Sequence, residues 1–215
     1  MINRRALMTV LGLIAGLASF LPMNGAKAQD SVSIMELGVA GPLGDMPLGP
    51  EDAKVTIYEY SSFTCSHCAD FHNKTYPELK KLYVDTGKVR YIRREIGFDQ
   101  LAIGASVLAR CSDKSKFHAV SDLLFKMQDK WAFTATPADN LRAIMRQTGM
   151  SDEQFDACLK NKDIIDGIQS VVNRAKTVLK IEATPTFFIN GKRVVGAYPL
   201  EEFKKQIDEA LAAAK

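Results

Sequence analysis

What this sequence has little of narrows it first. It carries four cysteines, three histidines and one tryptophan in 215 residues. Only Cys65 and Cys68 are closely spaced; Cys111 and Cys158 are singletons 47 residues apart. A structural zinc site usually needs a second Cys/His pair at similar spacing, and none is present. A c-type haem attachment needs histidine directly after the second cysteine, where Ala69 stands. The apolar run from Ala6 to Leu21 falls short of the roughly 20 residues that span a bilayer. No internal repeat or low-complexity tract interrupts the chain.

The first 28 residues contain no acid. Arg4 and Arg5 precede the apolar run, and Ala26-Lys27-Ala28 follows it. That order predicts a secretory signal peptide with a small-residue cleavage site rather than a membrane anchor. The Arg4-Arg5 pair leaves twin-arginine export open. Cleavage after Ala28 leaves 187 residues, one domain or one domain with a large insertion. It removes Arg4, Arg5 and Lys27 from 28 basic residues, leaving 25 against 25 acidic ones. A neutral balance gives no reason to expect a nucleic-acid partner. The even cysteine count in an exported chain permits disulfides, and a bacterial periplasm is the expected address.

The stretch that organises the chain runs from Tyr58 to Cys68. Val55, Ile57 and Tyr60 predict a strand, and Ala69, Phe71, His72 and Tyr76 continue with helical spacing as far as Pro77. Cys65 then sits at a helix N-terminus, where unpaired N–H groups and the dipole stabilise an anion. A thiol so placed has a depressed pKa, and its thiolate attacks disulfides. His67, if protonated, adds positive charge beside it. Cys68 lies one turn on, in reach of a small disulfide ring. Redox chemistry explains this junction better than half a metal site or a chance pairing of buried thiols.

Residues 29–53, rich in glycine and proline, read as an extended arm with at most a short strand or turn. Val55–Ser61 is a strand, a helix bent at Pro77 runs to Gly87, and 88–96 is a second strand, together one βαβ unit. Residues 99–180 have almost no strand signal. Val107 and Cys111 lie near the end of one helix, and Phe117, Val120, Leu124 and Met127 stripe the next. Thr136-Pro137 and the capping box at Ser151–Gln154 open two more. Ile164 to Leu179 traces a long amphipathic helix. Thr186–Ile189 and 193–197 flank an Asn190-Gly191-Lys192 hairpin signal, and Phe203, Ile207 and Leu211 mark a last helix.

The exported chain, the βαβ unit with Cys65-Ser66-His67-Cys68, the helical insertion and the Ala183-Thr184-Pro185-Thr186 segment before a hairpin resemble the DsbA-like thiol:disulfide oxidoreductases, alphaproteobacterial members above all. The resemblance covers roughly residues 45–213. It implies a thioredoxin fold, an α/β class, with an inserted all-helical subdomain. The domains would be an arm (29–53), a thioredoxin-like part (54–98 and 181–215) and the insertion (99–180). It makes Cys65 the attacking cysteine and Cys68 the resolving one, with Ser66 and His67 tuning the thiolate. Pro185 becomes a cis-proline facing the dithiol, with Thr184 before it offering backbone groups to an extended substrate. Glu59 matches the family's buried acid, which implies a proton relay to or from Cys68; a solvated strand residue is the alternative. The resemblance also supports a structural Cys111–Cys158 disulfide, against two buried free thiols. His72 reads as a surface or packing residue, His118 and Trp131 as structural.

The expected activity is dithiol–disulfide exchange that introduces bonds into reduced exported proteins. No cofactor or metal is implied, because the electrons reside on the two sulfurs. Reoxidation would fall to a membrane quinone reductase resembling DsbB, and a monomer is expected. The rivals are an isomerase or reductase on the same fold, of the DsbC, DsbG or ScsC type, and a periplasmic copper or zinc protein using Cys65, Cys68 and His67 or His72. The arm is too short for the dimerisation domain of DsbC or DsbG.

Overall fold

The computed structural model describes residues 31–214. The expected signal segment, with its Arg4-Arg5 pair, lies outside the described residues. Among them, no helix is long and apolar enough to cross a membrane.

The arm is not simply extended. It opens with a helical turn, α1 (Ile34–Leu37), capped by the Ser33 side chain on the Glu36 N–H at 3.1 Å. A two-residue strand, β1 (Pro47–Leu48), follows. Then come β2 (Val55–Ser61), α2 (Ser66–Asp70), α3 (Tyr76–Leu79) and β3 (Val89–Glu95). Between β3 and the next strand stand six α-helices: α4 (Gln100–Cys111), α5 (Phe117–Lys126), α6 (Gln128–Trp131), α7 (Pro137–Arg146), α8 (Asp152–Leu159) and α9 (Lys162–Thr177). The chain closes with β4 (Thr186–Ile189), β5 (Lys192–Val195) and α10 (Leu200–Ala213).

The strands form one mixed sheet in the order β1-β3-β2-β4-β5. β2 and β3 are parallel, as the βαβ reading requires, and the other neighbours are antiparallel. β2 is central and almost wholly buried, because both its faces are covered. Successive residues of a strand point to opposite faces, so β2 feeds two cores. Val55 and Ile57 pack with Phe71, Leu79, Phe187, Phe203 and Ile207 under α3 and α10. Tyr58 and Tyr60 pack with Ile92, Phe188 and the apolar faces of the inserted helices. Each such buried side chain contributes on the order of 1.5–3 kcal/mol.

The helix after the dithiol differs from a helix bent at Pro77. It contains two π-helical turns, Phe71–Thr75 and Lys80–Val84, on either side of α3. The Tyr76 N–H reaches back five residues to the Phe71 carbonyl, which widens the turn just where Pro77 has no N–H to give. The hairpin turn is Asn190-Gly191 alone, with φ of 44° and 91°, so β5 starts at Lys192, earlier than expected. Asn190 also accepts from the Thr56 N–H at 2.8 Å and donates to the Lys54 carbonyl at 3.1 Å. Gly191 is fixed by space as well as by φ: a Cβ there would stand 2.4 Å from the Val32 carbonyl oxygen.

Two arginine–carboxylate forks fasten the arm and the insertion to β3. Arg94 donates to both oxygens of Asp45 at 2.8 and 2.7 Å and to the Tyr60 hydroxyl. Arg110 of α4 donates to both oxygens of Glu95 at 2.7 Å and to the Gly44 carbonyl. Arg174 of α9 pairs with Glu36 of the arm. The capping box at Ser151 and Gln154 is formed. Trp131 is in the core, its indole N–H on the Leu124 carbonyl at 2.9 Å. Cys111 and Cys158 are joined as a disulfide that ties the end of α4 to α8. It lies in the lining of a cleft of about 480 Å³.

Candidate active site

The loop from β2 turns into α2 with Cys65 as the N-cap residue, in extended conformation (φ −89°, ψ 118°). Its carbonyl accepts the N–H groups of Cys68 and Ala69, both at 3.1 Å, and so starts the helix. Both cysteines of the pair are free thiols; Cys65 is half-buried and Cys68 fully buried. The two are pushed in opposite directions. A hydrogen bond from Cys68 works against desolvation on the Cys65 sulfur and, with contributions from Thr184 and the backbone N–H groups of Cys68 and His67, brings its pKa down to about 5. Burial pushes the Cys68 thiol up, its contact with Cys65 adds to this, and the Glu59 charge acts in the same sense. One proton therefore stays on Cys68 while Cys65 is a thiolate at neutral pH.

Thr184 and Pro185 come from the loop before β4. The Thr184–Pro185 bond is cis. The Cys65 sulfur lies 3.3 Å from the Thr184 carbonyl oxygen, so this segment faces the dithiol directly. Ser66 and His67 have exposed side chains. The part of His67 that reaches the sulfur is its backbone N–H. His67 also lines a cleft of about 420 Å³ beside the dithiol, with Asp70, Phe71, Lys74, Tyr198 and Leu200.

Glu59 is not a solvated strand residue. It is fully buried; His72 is buried too, in packing and not at the surface. The His72 Nε2 lies 2.8 and 3.1 Å from the two Glu59 oxygens, and the Tyr91 hydroxyl donates to one of them. Burial acts to raise the Glu59 carboxyl; His72, Arg93 and Tyr91 together outweigh it and hold it below the usual carboxylate range. Among the described residues no group of three or more His, Cys, Asp or Glu side chains could hold a metal ion. His118 is half-buried, and desolvation with the Arg93 charge brings it down to about 4.

Two participants gave no signal in the sequence. Gln128, at the start of α6, is buried and donates from Nε2 to the Phe63 carbonyl at 2.7 Å and the Cys65 carbonyl at 3.0 Å. Asp99 caps α4 through the Ala102 N–H and accepts from Thr64, the residue before Cys65, at 2.6 Å. The insertion thus holds the active-site loop from both sides, through contacts 35 and 63 residues apart in sequence.

A vicinal dithiol at a helix N-terminus, opposite a Thr-Pro segment on a mixed sheet, defines a thioredoxin-fold redox protein. Residues 43–209 match the family model described as thioredoxin. A Rickettsia bellii protein provisionally described as a protein-disulfide oxidoreductase is 35% identical over 172 residues, 80% of this chain and 66% of the relative. A Rickettsia felis counterpart, 34% identical, is covered to 62%. The chain therefore spans less than two thirds of those relatives. The crystal structure of Wolbachia pipientis alpha-DsbA1 superposes with a TM-score of 0.76 at 30% identity, over 83% of this chain and 96% of that one. Bacillus subtilis BdbD, at 22% identity and a TM-score of 0.71, shares the fold. The chain belongs to the DsbA-like, thioredoxin-fold family of thiol–disulfide oxidoreductases.

Proposed function

We propose that the protein is a disulfide oxidase that introduces bonds into reduced, exported proteins. The observation that carries this reading is the split between the two thiols, a Cys65 thiolate with pKa about 5 beside a Cys68 held protonated. Stabilising the thiolate stabilises the reduced protein, and a couple whose reduced form is stabilised oxidises its partners.

The cycle starts from the closed Cys65–Cys68 disulfide. A substrate thiolate attacks the Cys65 sulfur and expels Cys68, which takes a proton. A second substrate thiolate then attacks the substrate sulfur of the mixed disulfide and expels Cys65 as a thiolate. The substrate gives up two electrons and two thiol protons, one of which ends on Cys68 and the other in solvent. Reoxidation needs an external disulfide, which we assign to a membrane partner resembling the DsbB quinone reductases. There Cys65 attacks the partner, and Cys68 must lose its proton as it closes the ring; Glu59, beneath it, relays that proton in passing and remains a carboxylate at the end of the step.

The remaining roles follow the same reading. Pro185 offers no N–H to compete for the thiolate, and the backbone of Thr184 pairs with an extended substrate segment. Ser66 and His67 tune Cys65 from the turn between the cysteines. Cys111–Cys158 is structural. The site of action is the periplasm, reached through a cleaved signal peptide. The arm folds back onto its own chain through Asp45 and Glu36, which supports a monomer.

Equilibration of Cys65–Cys68 with glutathione, followed by assays on a reduced and on a scrambled substrate, tests the proposal. A couple more oxidising than glutathione that generates native bonds in the reduced substrate is expected. A reducing couple, or one that only repairs the scrambled substrate, would replace the oxidase reading with a reductase or isomerase.

A further inference from the structure

The mechanism above uses Glu59 but leaves its buried partner unexplained. Histidine 72 sits on the π-helical turn that follows α2, one helical turn beyond Cys68. Its ring is clamped on all sides. It stacks on Phe125 of α5 with centroids 4.1 Å apart and planes 8° from parallel, and it meets Tyr76 of its own helix at 4.9 Å. The sheet below presents Glu59, Tyr91 and Arg93, and α5 presents Asp122. Nε2 is bonded to Glu59, while Nδ1 is buried with no hydrogen-bond partner among the described residues.

In a neutral ring that asymmetry places the proton on Nε2. A proton on Nδ1 would be a buried donor without an acceptor, a cost on the order of 1–3 kcal/mol. A proton on Nε2 is donated to a carboxylate. With Tyr91 donating as well, Glu59 receives two hydrogen bonds in a site closed to water, and both bonds favour its ionised form. Arg93, from the register position opposite Glu59, supplies positive charge, its side chain having no hydrogen-bond partner among the described residues.

We infer that His72 is a positioning residue for the redox couple: it holds Glu59 as a fixed anion beneath Cys68, so that the proton stays on Cys68 and the negative charge on Cys65. The inference rests on the reading of Glu59 as the acid–base partner of Cys68 and adds the group that sets its charge. The Cys68 proton is the one donated to the Cys65 sulfur, so the chain of control runs from His72 through Glu59 and Cys68 to the attacking thiolate. Without a donor at position 72, a buried carboxylate loses part of what keeps it ionised and takes up a proton. Cys68 is then relieved of a neighbouring anion and ionises more readily.

The test follows Cys68 alone, in a Cys65→Ser background, by the pH dependence of its alkylation in the native protein. Glu59→Gln is expected to lower the Cys68 titration by about one pH unit, the small end of what one close charge does. His72→Phe should shift it in the same direction. His72→Gln, whose amide can donate from the place of Nε2, should restore the parent curve. The double variant Glu59→Gln/His72→Phe should move no further than Glu59→Gln. A His72→Phe curve identical to the parent while Glu59→Gln shifts would reduce His72 to packing and overturn the inference. No shift in Glu59→Gln would overturn it too, by removing Glu59 from the control of Cys68. Should His72→Phe not fold, nitrogen NMR of the unmodified protein decides: a proton on Nε2 and a bare Nδ1 are expected, and a proton on Nδ1 contradicts the arrangement. None of these readouts involves substrate oxidation, so failure of the oxidase reading is seen separately in the glutathione and substrate assays.

Discussion

Gln128 donates to the Cys65 carbonyl at 3.0 Å, the same carbonyl that starts α2 by accepting from Cys68 and Ala69. A side chain of the insertion thereby fixes the turn on which the thiolate depends. Gln128→Ala leaves the Phe63 carbonyl, and part of the Cys65 carbonyl's bonding, without a buried donor. A loss of about 1–3 kcal/mol in folding stability is expected. Gln128→Glu should be worse, because a carboxylate would face two carbonyl oxygens. Denaturant midpoints of the three proteins check the order, and a Gln128→Ala midpoint equal to the parent's would show that the contact contributes nothing.

The pH dependence of stability should differ between the two redox states. Cys65 has a folded pKa of about 5 against an ordinary value of 9.0. Between those values the unfolded dithiol chain holds a proton that the folded one has lost. The stability of the reduced protein therefore gains a contribution that rises with pH across that window and is lost as pH falls through about 5; because Cys65 is only half-buried, solvent screening keeps it below the full linkage value. The closed disulfide has no such proton. Unfolding of both forms at several pH values should give curves whose difference slopes upward from about pH 5 to 9; parallel curves would mean that the Cys65 thiolate is not stabilised.

Covalent trapping separates the roles of the cysteines. Cys68→Ala removes the thiol that closes the ring, so substrate adducts should collect on Cys65. Non-reducing electrophoresis of the variant recovered from its host compartment would show them as bands that vanish with dithiothreitol. The same variant removes the largest stabilising contact of the Cys65 thiolate, so its thiolate absorbance should titrate at a higher pH. His67→Ala should move that titration in the same direction but less, because His67 reaches the sulfur through a backbone N–H that the substitution retains. A His67→Ala shift as large as that of Cys68→Ala would place the control in the imidazole instead.

The second disulfide closes a loop of 47 residues, for which the chain-entropy relation allows roughly 4 kcal/mol at most. Mild reductant should release two thiols that map to Cys65 and Cys68, with Cys111–Cys158 intact until the protein unfolds. Peptide mapping after alkylation reads this directly. Recovery of alkylated Cys111 and Cys158 from the native oxidised protein would show the bond to be labile.

The parts legible in the sequence are those written in local chemistry. Asn190-Gly191 spells a turn with two positive φ angles, Ser151 and Gln154 spell a capping box, and Cys65 to Cys68 spell a dithiol at a helix start. Each needs only residues close in the chain. The illegible parts need the tertiary structure to bring side chains together. The partner of Glu59 is His72, whose helical spacing gave no sign that it faced the sheet. Gln128 looks like any polar residue at the start of a helix until its carbonyl acceptors are located. The π turns around α3 likewise depend on which carbonyl an N–H finds, and Pro77 alone marks an interruption without giving its form.

Arg93 carries a consequence for how the molecule opens. Its guanidinium lies over the rings of Phe63, Phe117 and Phe125, and its three nitrogens have no hydrogen-bond partner among the described residues. Two of those rings belong to α5, so the lid over this cation is the insertion itself. Lifting α5 from the sheet would expose apolar rings to water, which is unfavourable, but it would also hydrate a charge that is dry in the closed form. Hydration of that one group offsets part of the cost, and it does so at this seam and not within either core. Amide protons at the start of α5 should therefore exchange with solvent sooner than those of β2, through partial openings that leave the sheet intact.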